Sequence, residues 1–234
     1  MNQPDEYEDV VLPVYVINLE NRTDRLLHIQ DQFKDRFEFE INIVKACENE
    51  NGALGLWQTI VKVAKIAQQK DEDVIIICED DHKFTGNYSK KILIDSIMKA
   101  NEHGVNVLIG GVGGFKNVVP ITNNLCWVDN FWSTQFLVIY KQFFDSILAE
   151  PFTNVTDTAD RKFSEMTSNK MVIFPFISIQ KDFGYSDISE VARNHMGFST
   201  EELFKHADLK LKKIYAAWDF YMRFENSVSK YRSE

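Results

Sequence analysis

The chain has 234 residues, 44% hydrophobic and 13% aromatic, which supplies one sizeable core and excludes a disordered polymer. Its formal net charge of −9 means the chain as a whole does not attract nucleic acid or anionic membrane. It shows no apolar run of bilayer-spanning length and no apolar leader, so the expectation is a soluble, cytoplasmic protein.

Cys47, Cys78 and Cys126 are scattered and sit in or near apolar stretches, so they read as reduced core residues. Residues 1–9 form an acidic tail expected to be mobile. "VVLPVYVINL" (10–19) predicts the first strand, and Asn21 or Thr23 can cap the helix after it. That helix shows Leu26, Ile29, Phe33 and Phe37 at helical spacing. "FEINIVKA" (39–46) predicts a second strand. "NGALGLW" then opens a helix with Trp57, Ile60, Val61, Ala64 and Ala67 on one face. The apolar run 74–78 predicts a strand buried on both faces, ending in Glu79, Asp80 and Asp81.

A helix over 88–101, a strand over 105–110 and the glycine-rich "GGVGGF" (110–115) follow. Strands alternating with helices in this way indicate an α/β fold with a mostly parallel sheet, covered by helices on both faces. "NVVPI", "LCWVDNFW" and "TQFLVIY" between 117 and 140 predict short strands that pair antiparallel as mixed edge strands. A helix at 141–149, a polar stretch around 153–169, a strand at 170–176 and a C-terminal helical segment at 200–230 complete the chain as one domain.

Ligands of open α/β sheets bind beyond the carboxyl ends of the strands. Three such ends carry polar chemistry here: "NLENRTDR", "EDD" and "GGVGG". Strand alternation predicts that Glu79 and Asp81 point one way and Asp80 the other. Two like charges so close suit a hard divalent cation, Mg²⁺ or Mn²⁺, that leaves positions for phosphate oxygens. Three solvated acids at a strand end are the plainer alternative. Arg22 and Arg25 share a helix face at i, i+3, where they can fork onto phosphate or pair with neighbouring acids. The glycines match neither a dinucleotide nor a P-loop pattern, so they mark either a turn or a close backbone approach to a ligand. His82, directly after the acids, could ligate a metal, but an exposed side chain is the expectation.

Together these motifs resemble glycosyltransferase family 25, which includes lipooligosaccharide and collagen galactosyltransferases. The opening "VYVINLENRTDR" resembles the family's strand ending in I-N-L with R-x-x-R entering a helix. Gly52-Ala53-Leu54-Gly55, then Glu79-Asp80-Asp81, "WSTQFLVIY", "DTADRKF" and "VIFPFISIQKDFGYSDIS" follow in the family's order, from about residue 12 to 190. The segment "GALGLW" departs from it in lacking a Ser-His after the second glycine.

The resemblance implies a GT-A fold and transfer of a hexose, often galactose, from a UDP-sugar to a glycan or glycolipid acceptor with inversion. By it, Ile17, Asn18 and Leu19 would hold uracil and ribose, with Arg22 and Arg25 near the nucleotide. Glu79 and Asp81 would bind Mn²⁺ or Mg²⁺, with Asp80 contacting ribose or supporting the site. Asp160 is the first candidate for the base that deprotonates the acceptor hydroxyl, then Asp157, then Asp187. Trp132, Ser133 and Thr134 could shape a sugar pocket. The helical pattern at 210–230 is a helix packed on the core, a homo-oligomer face, or a peripheral contact with a lipid-linked acceptor.

Overall fold

The computed structural model describes residues 7–152, 157–184 and 198–231, with residues 224–231 as backbone only. Its frame is an eight-stranded mixed sheet of order β2-β1-β3-β10-β5-β11-β8-β7. The strands are β1 (Leu12–Asn18), β2 (Phe39–Lys45), β3 (Val74–Glu79), β5 (Val107–Ile109), β7 (Val118–Pro120), β8 (Leu125–Val128), β10 (Phe136–Tyr140) and β11 (Lys170–Ile173). Two small ribbons complete the β structure. One pairs β4 (His82–Phe84) with β12 (Ser178–Gln180), the other β6 (Gly114–Phe115) with β9 (Phe131–Trp132).

The sheet is less parallel than expected. β1 runs parallel to β2 and β3, and β11 to β5, while β10 lies antiparallel between β3 and β5. The run "FLVIY" is therefore a central strand, with all five residues buried, rather than an edge. Only β7 and β8 form the antiparallel hairpin expected in this region, and β9 leaves to pair with β6.

Alternation along the central strands feeds two cores. Tyr15, Ile17, Ile75, Ile77, Leu137 and Ile139 face one side. There they meet α2 (Gly52–Gln69), α4 (Phe144–Ala149), α5 (Ala159–Met166) and α6 (Thr200–Tyr231). Val14, Val16, Ile76, Cys78, Phe136 and Val138 face the other, under α1 (Thr23–Phe33) and α3 (Lys90–Glu102). Helices on both faces explain why these strands read as unbroken apolar runs. Cys78 and Cys126 are buried and Cys47 half-buried, all as free thiols.

Local chemistry sets the helix ends. Asn51 caps α2 by accepting from the Ala53 and Leu54 N–H groups, and the Ser89 hydroxyl caps α3 at Ile92 N. α1 differs from expectation: Arg22 occupies its N-cap and neither Asn21 nor Thr23 caps it. It also stops at Phe33, because the chain turns through Asp35 at φ 60°, so Phe37 leaves the helix and lies 86% exposed. The acidic tail is anchored where it is described, the Tyr7 hydroxyl donating to Asp95.

Lys170 is the most buried lysine among the described residues, 1% exposed in β11. Its ammonium donates to the Ser164 carbonyl at 3.0 Å and to the Thr167 carbonyl, closing the C-terminal end of α5. Burial holds its pKa below the usual lysine range. Lys170→Met should cost about 1–3 kcal/mol by stranding those carbonyls. Urea unfolding with an unchanged midpoint would count against this role.

Candidate functional site

The polar residues converge where β1 and β3 end and β10 begins. Because β10 runs antiparallel, the segment 132–135 that enters it lies beside the carboxyl end of β3, and Glu79 N–H donates to the Gln135 carbonyl at 3.1 Å.

Asp80 and Asp81 sit just past the end of β3, in the turn to β4, and are 5% and 6% exposed. Strand alternation stops there, so their side chains do not diverge as expected. Both reach Arg25, whose Nη1 lies 3.1 Å from Asp80 Oδ1 and 3.3 Å from Asp81 Oδ2. Arg25 is 4% exposed. Like charges at a strand end are thus held first by an internal cation from α1. The Asn18 amide donates to Asp80 Oδ2 at 2.8 Å and to the Arg22 carbonyl at 3.3 Å, so it braces the acids. Gln180 donates to Asp81 Oδ2 at 2.8 Å.

Asp81 Oδ1 is buried and has no hydrogen-bond partner among the described residues. Burial pushes the Asp81 carboxyl up to about 6, aided by Asp80 and opposed by Gln180, Arg25 and Arg22. Burial and then the Asp81 charge push half-buried Glu79 further, while a hydrogen bond from Thr134 opposes the shift. Two neighbouring carboxylates that resist ionisation form a site short of positive charge.

Three consecutive residues tie this group to α5. Trp132 is 46% exposed. Ser133, at φ 90°, donates its backbone N–H to Asp160 Oδ2 at 3.1 Å. Thr134 donates its hydroxyl to Glu79 Oε1 at 2.6 Å. Glu79 and Asp160 are thereby held on successive residues of one loop, close enough that the Asp160 charge adds to the upward push on Glu79. Asp157 is instead drawn to the buried ammonium of Lys162 at 3.6 Å. Asp187 lies outside the described residues.

Other expected site residues have different surroundings. Ile17 is 6% exposed in the core, and half-buried Leu19 packs against the same cluster. The glycine loop serves the fold: a Cβ on Gly111 would lie 2.1 Å from the Ser178 carbonyl, so the close approach is to the protein's own backbone. His82 is fully buried, not exposed, with Nδ1 2.8 Å from Ser178 Oγ, and burial holds its pKa well below the usual histidine value. The contacts of Thr134, Ser133 and Gln180 carried no local signal beyond their place in the quoted motifs.

Among the described residues, no group of three or more His, Cys, Asp or Glu side chains stands in a metal-holding arrangement. The pair Glu79 and Asp81, with one buried oxygen unpartnered, matches a cation that takes one or two protein carboxylates and completes its shell with phosphate and water.

No protein-family model matches the chain, and no curated protein does, so the family 25 resemblance stands on the quoted motifs alone. Solved structures with a similar fold include an apo UDP-glucose pyrophosphorylase, at 8% identity and TM-score 0.46, covering 87% of this chain and 82% of that one. Another is a nucleoside-diphosphate-sugar pyrophosphorylase from Vibrio cholerae, at 12% identity and TM-score 0.37, covering 72% and 75%.

Proposed function

We propose that this chain is a glycosyltransferase that moves a hexose from a nucleotide-diphosphate sugar to a hydroxyl of a glycan or glycolipid. The observation that carries the reading is the loop Trp132-Ser133-Thr134, whose Ser133 N–H and Thr134 hydroxyl hold the Asp160 and Glu79 carboxylates, next in sequence to the 46% exposed Trp132. Glu79 and Asp81 would hold Mn²⁺ or Mg²⁺, and the charge of such an ion offsets that on a departing diphosphate. UDP-galactose is the donor favoured by the motif resemblance.

Inverting transfer is one displacement. The acceptor oxygen forms a bond to the anomeric carbon as the bond from that carbon to the diphosphate oxygen breaks, and the leaving group keeps the electron pair. The acceptor proton passes to a carboxylate, here Asp160, oriented by Ser133 N–H and the Thr158 hydroxyl. Arg25 and Asn18 act by positioning Asp80 and Asp81. The exposed face of Trp132 is suited to the CH face of a pyranose.

Thermal melting with UDP-galactose, UDP-glucose and GDP-mannose, each with and without Mn²⁺, tests the reading. A UDP-dependent rise that needs Mn²⁺ and is lost in Asp81→Asn is the expected result. No shift with any nucleotide in folded protein would sink it and favour a non-catalytic member or another phosphate-handling enzyme. Asp160→Asn keeps an oxygen for Ser133 N–H, so donor binding should persist while turnover falls by about 10²–10⁴. Undiminished turnover would remove Asp160 as the base.

A further inference from the structure

Gly114, in the glycine-rich segment, is shaped to a side chain that the core does not use. It pairs with Trp132 in the β6–β9 ribbon, and a Cβ added to it would lie 2.6 Å from Cε3 of the indole. The six-membered ring therefore rests where any other residue would carry a side chain. The rest of the ribbon is anchored. Phe115 and Phe131 are buried in the core, Phe131 N–H donates to the Ser164 hydroxyl at 3.3 Å, and Gly113 N–H donates to the Trp132 carbonyl at 2.9 Å. Alternation then turns Trp132 away from that core, and it stays exposed.

The backbone beside it is strained. Ser133 lies at φ 90°, where residues with a side chain seldom sit, and its N–H bond to Asp160 holds it there. An exposed tryptophan, a glycine fitted to it and a strained neighbour meet at one turn, and none of the three improves packing.

Order along the loop tells which substrate the indole meets. Thr134 holds Glu79, on the side assigned to the metal and the diphosphate. Ser133 holds Asp160, the base, and Trp132 is the next residue beyond it. In a one-step displacement the base faces the acceptor hydroxyl, so the ring past the base borders the acceptor rather than the donor.

We propose that Trp132, seated on Gly114, is the acceptor platform: it stacks on the CH face of an acceptor pyranose and so turns a ring hydroxyl towards Asp160. The proposal rests on the transferase reading and deepens it by assigning this side of the site to the acceptor.

The test is saturation-transfer NMR on the full chain with Mn²⁺ and UDP present. The probes are methyl β-galactoside, methyl β-glucoside, N-acetylglucosamine and lactose, with sorbitol as a polyol that has no ring. At least one pyranose should bind where sorbitol does not. Trp132→Ala, a change at an exposed position, should weaken that binding on the order of tenfold while melting like the parent, and Trp132→Phe should recover part of it. Gly114→Ala, which places a methyl where the indole lies, should weaken it as well. The melting rise given by UDP-galactose and Mn²⁺ should persist in Trp132→Ala. Unchanged pyranose binding in Trp132→Ala or in Gly114→Ala overturns the proposal. So does a nucleotide-sugar melting rise that disappears with the indole, which would assign Trp132 to the donor. A parent protein that shows the nucleotide rise but binds none of the pyranoses also overturns it, whereas a parent without any nucleotide rise fails the transferase reading itself.

Discussion

Arg25→Met is expected to remove about 3–5 kcal/mol of stability, the cost of leaving buried carboxylates without their cation. Asp80 and Asp81 reach the same guanidinium nitrogen, and all three side chains are less than a tenth exposed. The loss should depend on pH. Asp81 already has a raised folded-state pKa, so its contribution is full below the unfolded value and fades as pH rises through the folded one. Removing Arg25 raises that pKa further. The deficit should therefore be larger at pH 8 than at pH 5. Arg25→Lys should recover part of it, because one ammonium supplies charge without the planar fork. Urea unfolding at the two pH values reads this directly, and a deficit below about 1 kcal/mol at both would mean that the acids find their compensation elsewhere.

Glu79→Gln should act in the opposite direction on the ligand-free protein. Burial and the neighbouring acids raise Glu79 from 4.5 to about 8. A raised folded-state pKa gives stability that is complete below pH 4.5 and drains away as pH climbs through the folded value. Glutamine is indifferent to pH and keeps an oxygen for the Thr134 hydroxyl. The variant should thus be more stable than the parent by about 1–2 kcal/mol at pH 8, with the gap closing towards pH 5. The figure is well below the full shift because Glu79 is half-buried and water relieves part of the repulsion. If Glu79 holds the cation as proposed, the gain should come with loss of the melting shift expected from Mn²⁺ and UDP together. Equal melting curves at both pH values would show that Glu79 is not strained by its neighbours.

The sequence reading succeeded where structure follows from local periodicity. The apolar run at 74–78, the face Trp57-Ile60-Ala64-Ala67 and the α/β alternation all appear as expected. It failed where a distant segment decides. "FLVIY" looks the same as an edge or a central strand, and only its pairing with β3 and β5 makes it central. His82 follows three acids and looks solvated, yet β12 and the ring of Phe84 enclose it. The strand rule that gives Asp80 a direction expires at Glu79, where β3 ends. The acids stand out in the sequence by their charge density and by their place in the quoted motifs. Their partners, Arg25 55 and 56 positions away and Gln180 99 away, follow from the fold rather than from spacing.

The central place of β10 also bears on how the protein is made. β3 and β10 pair across about sixty residues of chain, and β10 is the strand that joins the β1–β3 half of the sheet to β5. At a synthesis rate of 5–20 residues per second, the nascent chain carries β3 with an open apolar edge for roughly 3–12 seconds before residue 140 is added. The first half can form its α/β layers in that interval but cannot close them. The ribosome-bound intermediate is therefore a sheet with the β3 edge open in addition to β2, the edge that stays open in the finished sheet, and an open apolar strand is exposed to pairing with a neighbouring nascent chain. Slowed elongation between residues 110 and 140 should raise aggregation of this protein more than the same delay placed after residue 175.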